Sequence, residues 1–181
     1  PPAALHDYLR EKARGLVQSD GLAVFHADGS LRAVSQVSPA RMPPKNFADD
    51  PPFAHIRDAT QGELHIDHTL VSPGTGRWVV PIGRRLVDAR GRFAGEVGAI
   101  GRVDYFQQFY RDTFPDPTIR VALAHRDGTL LARNPPVQGA LGRPIPGLQA
   151  LLPASPAASA DVKHMRSPID GVDHFVAVRL V

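Results

Sequence analysis

The sequence predicts an α+β fold in which antiparallel hairpins form the sheets and helices flank them. Between residues 76 and 106, two runs of alternating apolar and polar residues are joined by a short polar segment at 88–91 that ends in glycine. Glycine tolerates the positive φ of a tight reversal, so the two runs are expected to pair as a long hairpin in the centre of a sheet. An amphipathic opening segment and a later pair of hairpins complete the pattern.

The opening segment, residues 1–20, predicts a long N-terminal helix. Its apolar side chains recur at helical spacing, namely Leu5, Tyr8, Leu9, Ala13, Leu16 and Val17. This helix is expected to lie across a sheet, and it is also a candidate for pairing two chains into a homodimer. A hairpin is predicted next, with strands at 21–27 and 31–36 around an Asp28-Gly29 turn.

Between the two hairpins the sequence predicts a loop, a short helix and a strand. Residues 37–52 are rich in proline, and a helix is expected from Pro52 to Gln61, because proline suits the first turn of a helix. Residues 63–71 alternate, with Leu64 and Ile66 on one side and polar residues on the other. This alternation predicts a half-buried strand whose polar side faces solvent.

The pattern of the first hairpin recurs after a proline-rich break at 114–117. Asp28-Gly29 and Asp127-Gly128 occupy equivalent places in two similar segments, and the tail adds two strands around Asp170-Gly171. We therefore expect two similar modules in tandem, at 21–115 and 116–181. The second is shorter and is expected to lack its last strand, with a loop and one helical turn between its hairpins.

Composition excludes several classes of protein. The formal net charge is +3 and the arginines are scattered among acidic residues, whereas nucleic-acid binding favours a basic stripe. The chain has no cysteine, which removes disulfides and thiolate chemistry and suits an oxidising compartment. No segment approaches the ~20 apolar residues of a membrane span, so any anchor is expected outside this sequence.

No motif for catalysis or for a cofactor is present. The sequence lacks the G-x-S-x-G signature of serine hydrolases and a phosphate-binding P-loop. We therefore predict no catalytic residues and no cofactor, and a hydrolase is the least supported interpretation.

Among the histidines and aspartates, His65, Asp67 and His68 form the tightest cluster in the sequence. His65 and Asp67 share one strand face and would need a third ligand to hold a metal ion, whereas His68 points to the other face. A solvated strand face is the simpler interpretation, so no metal site is predicted.

The central hairpin contributes three further candidates. Arg84 interrupts an apolar row, where an unpaired guanidinium would be costly to bury, so it is either a ligand contact or the partner of Glu96 on the paired strand. Trp78 is either a core residue or part of a pocket for a charged group. Asp104 is predicted to cap the aromatic helix that follows, and it can contact a ligand as well.

Three segments together resemble the double Cache, or PDC, sensor domains, which are tandem PAS-like modules. They are TGRWVVPIGRRLVDARGRFAGEVGAIGRVDYFQQFY, FADDPPFAHIRDA upstream of it, and VALAHRDGTLLAR downstream. Such domains lie outside the membrane in bacterial diguanylate cyclases, histidine kinases and chemoreceptors. The resemblance implies a non-catalytic periplasmic sensor, with transmembrane helices and an output domain beyond the sequence. The alternative is a ligand-free dimerisation and signal-relay module of the same kind of receptor.

The resemblance also implies where a ligand binds. The expected site lies in the membrane-distal module, beneath the loop at 37–52 and between the short helix and the central hairpin. Amino-acid-binding members carry an Arg-x-Trp-Tyr motif at the short helix, which residues 49–55 lack. We therefore expect an unidentified small polar or anionic molecule. The candidate ligand-binding residues are Phe53, His55, Arg57, His65, Asp67, Trp78, Arg84 and Asp104.

Overall fold

The computed structural model describes residues 2–41, 45–59, 62–72, 75–151 and 162–180. The chain divides into two compact units, Pro1–Phe106 and Gln107–Val181, and each is described by itself. This division precedes the boundary predicted at residues 115 and 116, and a PAS-like second module stays a prediction. Within the described residues, none of the helices combines the length and the apolar character of a bilayer-spanning segment.

The first unit is built on one antiparallel sheet. Its strands run in the order β2-β1-β6-β5-β3, and β4 also pairs with β5, which confirms the central place of the long β5-β6 hairpin. Gly91 has a φ of 75° in the turn of that hairpin. The elements are α1 (Pro2–Ala13), β1 (Ser19–His26), β2 (Leu31–Val34), α2 (Pro51–Asp58), β3 (Leu64–Ile66), β4 (Leu70–Val71), β5 (Trp78–Val87), β6 (Phe93–Arg102) and α3 (Val103–Thr113). The residues of α3 from Gln107 onwards belong to the second unit.

Helix α1 packs on the sheet as predicted, but it is shorter than the predicted 1–20. It ends at Ala13, because the chain must turn before Ser19 pairs with Gly101 at the start of β1. Leu9 of α1 is buried against Val24, on β1. Leu16 and Val17, the last two residues of the predicted apolar stripe, therefore lie beyond the helix.

The two faces of the sheet are covered by different helices. On one face, Leu86 and Val97 pack around the buried Leu9 of α1. On the other face, Gly83 lies so close to Ile56 of α2 that a β-carbon at Gly83 would be 2.5 Å from the Ile56 Cδ1. Because successive strand residues point to opposite faces, even-numbered residues of β5 belong to the α1 face and odd-numbered residues to the α2 face.

The single strand predicted at 63–71 is interrupted, and its burial is the reverse of the prediction. Leu64 and Ile66 are 54% and 41% exposed, whereas Asp67 and Thr69 are only 4% and 7% exposed. The polar side chains can be buried because they have partners; the Thr69 hydroxyl, for example, donates to the Val79 carbonyl at 2.9 Å. The interpretation of this polar side as a solvated strand face was therefore wrong.

Aromatic rings form the core beneath α2. Phe25 contacts Phe47 and Phe53 edge-on, with ring centres 5.2 and 5.9 Å apart, and Phe53 contacts Phe93 at 5.7 Å. Phe47 belongs to the predicted loop at 37–52, so this part of the loop packs into the core instead of roofing a hollow. Residues 42–44 of that loop lie outside the described residues.

The second unit contains the two predicted hairpins. Buried side chains line β8, among them Leu130, Leu131 and Ala132, and the predicted helical turn is a short 3-10 turn at Leu148–Leu151. The described part of the unit encloses a cavity of about 730 Å³. Residues 152–161 lie outside the described residues. The strands are β7 (Val121–Ala124), β8 (Leu130–Asn134), β9 (Val162–Arg166) and β10 (Asp173–Ala177).

Candidate functional site

Helix α2 brings one candidate side chain to the edge of the sheet. The helix begins at Pro51, and its Phe53 and Ile56 are buried against the sheet. His55 lies between these two in sequence, and its side chain is 50% exposed and reaches β3. The burial of one side of α2 thus fixes the position of His55.

His55, His65 and Asp67 form a compact group, which we call the His–Asp cluster. The His55 Nδ1 lies 2.9 Å from the Asp67 Oδ2, within hydrogen-bonding distance. The His65 Nε2 lies 3.6 Å from the same oxygen, and the two imidazole ring centres are 5.4 Å apart. One nitrogen from each histidine and one carboxylate oxygen all lie within 4.8 Å of one another. The cluster therefore gathers metal-ligand and proton-exchanging groups at one point.

Asp67 is held in place from three directions. Its backbone N–H donates to the Pro81 carbonyl at 2.9 Å, and its Oδ1 accepts the backbone N–H of His68 at 2.6 Å. The His68 Nδ1 is 3.1 Å from the same Oδ1, so His68 is turned towards Asp67. Burial alone would raise the pKa of Asp67, but hydrogen bonds from His55 and from the His68 N–H outweigh it and lower the pKa. The carboxylate is therefore ionised at neutral pH.

Glu96 is a second buried carboxyl on the α2 face. It is 7% exposed, and the residues that the structure describes make no hydrogen bond or ion pair with it. Its Oε1 lies above two glycines, since a β-carbon at Gly83 or Gly98 would be 2.6 or 2.8 Å from it. Burial raises the pKa of Glu96 to about 7. Such a carboxyl is costly to bury and is characteristic of functional sites.

Two arginines on the α2 face are engaged in holding the helix. The Arg85 guanidinium donates to the Arg57 carbonyl at the end of α2 and lies 4.9 Å from the Phe93 ring centre. The side chain of Arg57, a candidate ligand contact, instead pairs with Asp58 at 3.1 Å and is largely exposed. Arg57 therefore contributes its backbone, and not its charge, to this face.

Trp78 and Arg84 lie on the opposite, α1 face of the sheet. Arg84 is exposed and stands across from Val97, whereas Glu96 stands across from Arg85, so the expected Arg84–Glu96 pair does not form. Trp78 is 40% exposed, which corrects its interpretation as a core residue. The candidates predicted from the sequence thus do not converge on one site.

Asp104 forms an ion pair with Arg102, the last residue of β6. Helix α3 begins at Val103, so Asp104 lies in its first turn and not at the predicted cap position. The Arg102 guanidinium contacts both carboxylate oxygens, at 3.0 and 2.8 Å, and this hydrogen bonding lowers the pKa of Asp104.

Sequence reasoning missed Glu96 and the placement of His55 in the cluster. A signal for Glu96 was present, since it is the one charged residue between Gly95 and Gly98 on a strand of small and apolar residues. For His55 no local signal existed, because only the packing of α2 brings it to Asp67.

The chain is similar to solved structures but matches no protein-family model and no curated protein. The chain is 32% identical to the extracellular domain assigned to a histidine kinase, rpHK1S-Z16. That match covers 99% of this chain and 72% of that one, with a TM-score of 0.81.

Two more distant structures share the fold. The ligand-binding domain of the Pseudomonas fluorescens chemoreceptor CtaA, solved with L-serine, is 14% identical, with a TM-score of 0.63 over 92% of this chain and 69% of that one. The sensor domain of the V. cholerae histidine kinase DctB is 15% identical, with a TM-score of 0.57 over 86% of this chain and 54% of that one. With its N-terminal helix packed on an antiparallel sheet, the chain belongs to the Cache (PDC-like) family of extracytoplasmic sensor domains.

Proposed function

We propose that the chain is the ligand-sensing part of a membrane-bound receptor of the histidine kinase or diguanylate cyclase kind, and that it binds a small polar molecule on the α2 face of its first unit. The observation that carries this proposal is Glu96, a buried carboxyl without a described partner. A polar group buried in this way costs about 1–3 kcal/mol, which a ligand that donates a hydrogen bond or a positive charge recovers.

The charges on the α2 face favour a ligand with a cationic or hydrogen-bond-donating group. Glu96 and Asp67 are both carboxyls on this face, whereas the Arg85 guanidinium is occupied by the Arg57 carbonyl and the Phe93 ring, and the Arg57 guanidinium pairs with Asp58. An anionic ligand, which the sequence left open, would have to approach these two acids. Amines are therefore better candidates than simple carboxylates. Amino acids, with which the fold relative CtaA was solved, also carry a carboxylate, and residues 49–55 lack the motif of the amino-acid-binding members.

Signalling follows from the position of α2. Ile56 of this helix lies over Gly83, next to the Glu96 carboxyl, so a ligand bound to Glu96 on this side would contact Ile56. A ligand that binds one position of α2 more tightly than the other shifts the population between them. We propose that this shift is the signal passed to the rest of the receptor.

A thermal-shift screen tests the proposal. Protein in EDTA is heated with amino acids, polyamines, purines and small carboxylates, and a true ligand raises the melting temperature with its concentration. Glu96→Gln removes the charge that the ligand meets, and we expect it to weaken a cationic hit by about 10-fold or more. Glu63→Gln, at an exposed carboxylate of the same unit, is the matched control. A hit that binds equally to wild type and Glu96→Gln contradicts the site, and the absence of any hit contradicts the proposed class of ligand.

A further inference from the structure

We propose that His55, His65 and Asp67 bind a divalent transition-metal ion of the zinc class. This inference rests on the proposed function and deepens it, since the His–Asp cluster lies on the same α2 face. The ion would join helix α2 to the edge of the sheet.

The distances suit a tetrahedral ion. Ligand atoms about 2.0–2.1 Å from a tetrahedral zinc lie roughly 3.3–3.4 Å from one another. The observed separations from the Asp67 Oδ2 are 2.9 Å to the His55 Nδ1 and 3.6 Å to the His65 Nε2. These values bracket the ideal one, and all three ligand atoms lie within 4.8 Å of one another. Small rotations of the side chains therefore complete the geometry.

The donor set also suits such an ion. Imidazole nitrogens favour zinc, nickel and copper, and two histidines with one carboxylate are a set that leaves a coordination position open. The His55 side chain is 50% exposed, so that open position is accessible from solvent. A small polar molecule can reach the ion there.

His65 provides an independent indication. Its Nε2 is buried and makes no hydrogen bond, and its 3.6 Å separation from the Asp67 Oδ2 is too long for one. A buried ring nitrogen without a partner is unfavourable, and a metal ion between the two atoms would satisfy it.

Hydrogen bonds orient the Asp67 carboxylate so that its Oδ2 is available to a metal ion. The Oδ1 is occupied by the N–H of His68, and the backbone N–H of Asp67 is bonded to Pro81. The Oδ2 is therefore directed at the two histidines before any ion arrives. Groups that orient a metal ligand in this way typically change metal affinity by 10- to 100-fold.

The simpler alternative is that the His–Asp cluster holds only protons and no metal ion. Two imidazoles around one carboxylate can share hydrogen bonds and bind no metal at all. Metal titration separates these outcomes, because a network that holds only protons takes up no zinc.

The test uses the untagged chain, stripped with EDTA and transferred to chelator-free buffer at neutral pH. Calorimetric titration with zinc chloride is expected to give one ion per chain and a higher melting temperature. Cobalt chloride is expected to give the intense visible absorption of tetrahedral cobalt. His55→Ala and His65→Ala should each weaken zinc binding by about 100-fold, whereas His26→Ala, at an exposed histidine of the same unit, should leave it unchanged.

Two results would overturn the inference: wild type that takes up no zinc, or His55→Ala that binds zinc as wild type does. His55 is half exposed, so its variant tests the site even if His65→Ala fails to fold. The inference and the proposed function can fail separately. If an organic ligand binds in EDTA and zinc does not bind, only the metal site is contradicted. If zinc binds and no organic compound does, only the proposed organic ligand is contradicted.

Discussion

Each unit of the molecule holds an aspartate among basic side chains, buried in the first unit and partly buried in the second, but the bases differ. In the first unit, Asp67 faces the imidazoles of His55 and His65. In the second, Asp170 is hydrogen-bonded to the guanidinium of Arg133, and it lies 3.4 Å from the Nε of Arg120 and 3.5 Å from the Nε2 of His174. Among the described residues, Asp67 therefore has imidazole partners, whereas Asp170 has two permanently charged partners beside one imidazole.

This difference distinguishes a permanent ion pair, Asp170–Arg133, from a group around Asp67 whose partners can change. Arginine cannot lose its proton in a protein, so the Asp170–Arg133 pair is fixed at any physiological pH. Burial alone would raise the pKa of Asp170, but hydrogen bonds from Ser167 and Val172 and the charge of Arg133 lower the pKa to about 2. Imidazoles can exchange protons or bind a metal ion near neutral pH, so Asp67 is the aspartate suited to sensing.

The largest expected effect comes from removing the two aspartates in turn. Asp170→Ala leaves the buried Arg133 without its countercharge and should lower the free energy of unfolding by about 3–5 kcal/mol. Asp67→Ala should cost less, about 1.5–3 kcal/mol, because it removes hydrogen bonds without leaving a permanently charged side chain buried. Urea unfolding of both variants at neutral pH, with EDTA present, measures the difference.

Asp112→Ala, at an exposed aspartate of α3, controls for the loss of any acidic residue and should change stability by less than about 0.5 kcal/mol. If Asp170→Ala is no more destabilising than Asp67→Ala, the Asp170–Arg133 ion pair does not stabilise the fold more than the hydrogen bonds of Asp67 do.

A smaller effect is expected at Glu96, a buried carboxyl of the first unit that forms no ion pair among the described residues. Its pKa is raised from the ordinary 4.5 to about 7, so the folded protein holds a proton that the unfolded chain releases. Stability is then greatest below about pH 4.5 and falls as the pH rises to about 7. At about 1.4 kcal/mol for each pKa unit, the loss is about 3.5 kcal/mol at most.

Glu96→Gln should remove this pH dependence and make the protein about 2–3 kcal/mol more stable than wild type at about pH 8. Unfolding curves between about pH 4.5 and pH 8 measure it, with Glu63→Gln as the control. Parallel pH profiles for wild type and Glu96→Gln would show that Glu96 is ionised in the folded state.

The smallest effect is expected on the α1 face. Arg84 is exposed and stands on the opposite side of the sheet from Glu96 and Asp67. Arg84→Ala should change the free energy of unfolding by less than about 0.5 kcal/mol and leave both zinc and organic-ligand affinities unchanged. A loss of ligand binding in Arg84→Ala would place the site on the α1 face and contradict its assignment to the α2 face.

Much of the fold could be predicted from the sequence because its signals are local. Alternation over β5 and β6, and a glycine in the turn between them, specified the central hairpin, and three Asp-Gly turns specified three more. The end of α1 was missed, since the pairing of Ser19 with Gly101 is a contact between distant residues.

The candidate site was predicted only in part. Alternation correctly placed His65 and Asp67 on one side of a strand, but it assigned that side to solvent, because polar residues usually face water. Their burial depends on hydrogen bonds to His68 and to Pro81, and on His55 from another element.

The sequence by itself therefore determined the hairpins, the helices and the likeness to Cache sensors, because these depend on periodicity and turn chemistry between near neighbours. Only the tertiary structure decided which face of the sheet carries the chemistry. Helix α2 packs through Phe53 and Ile56, and that packing sets His55 against Asp67 and closes over Glu96. The burial of a carboxyl, and with it its pKa, depends on what the rest of the chain places above it.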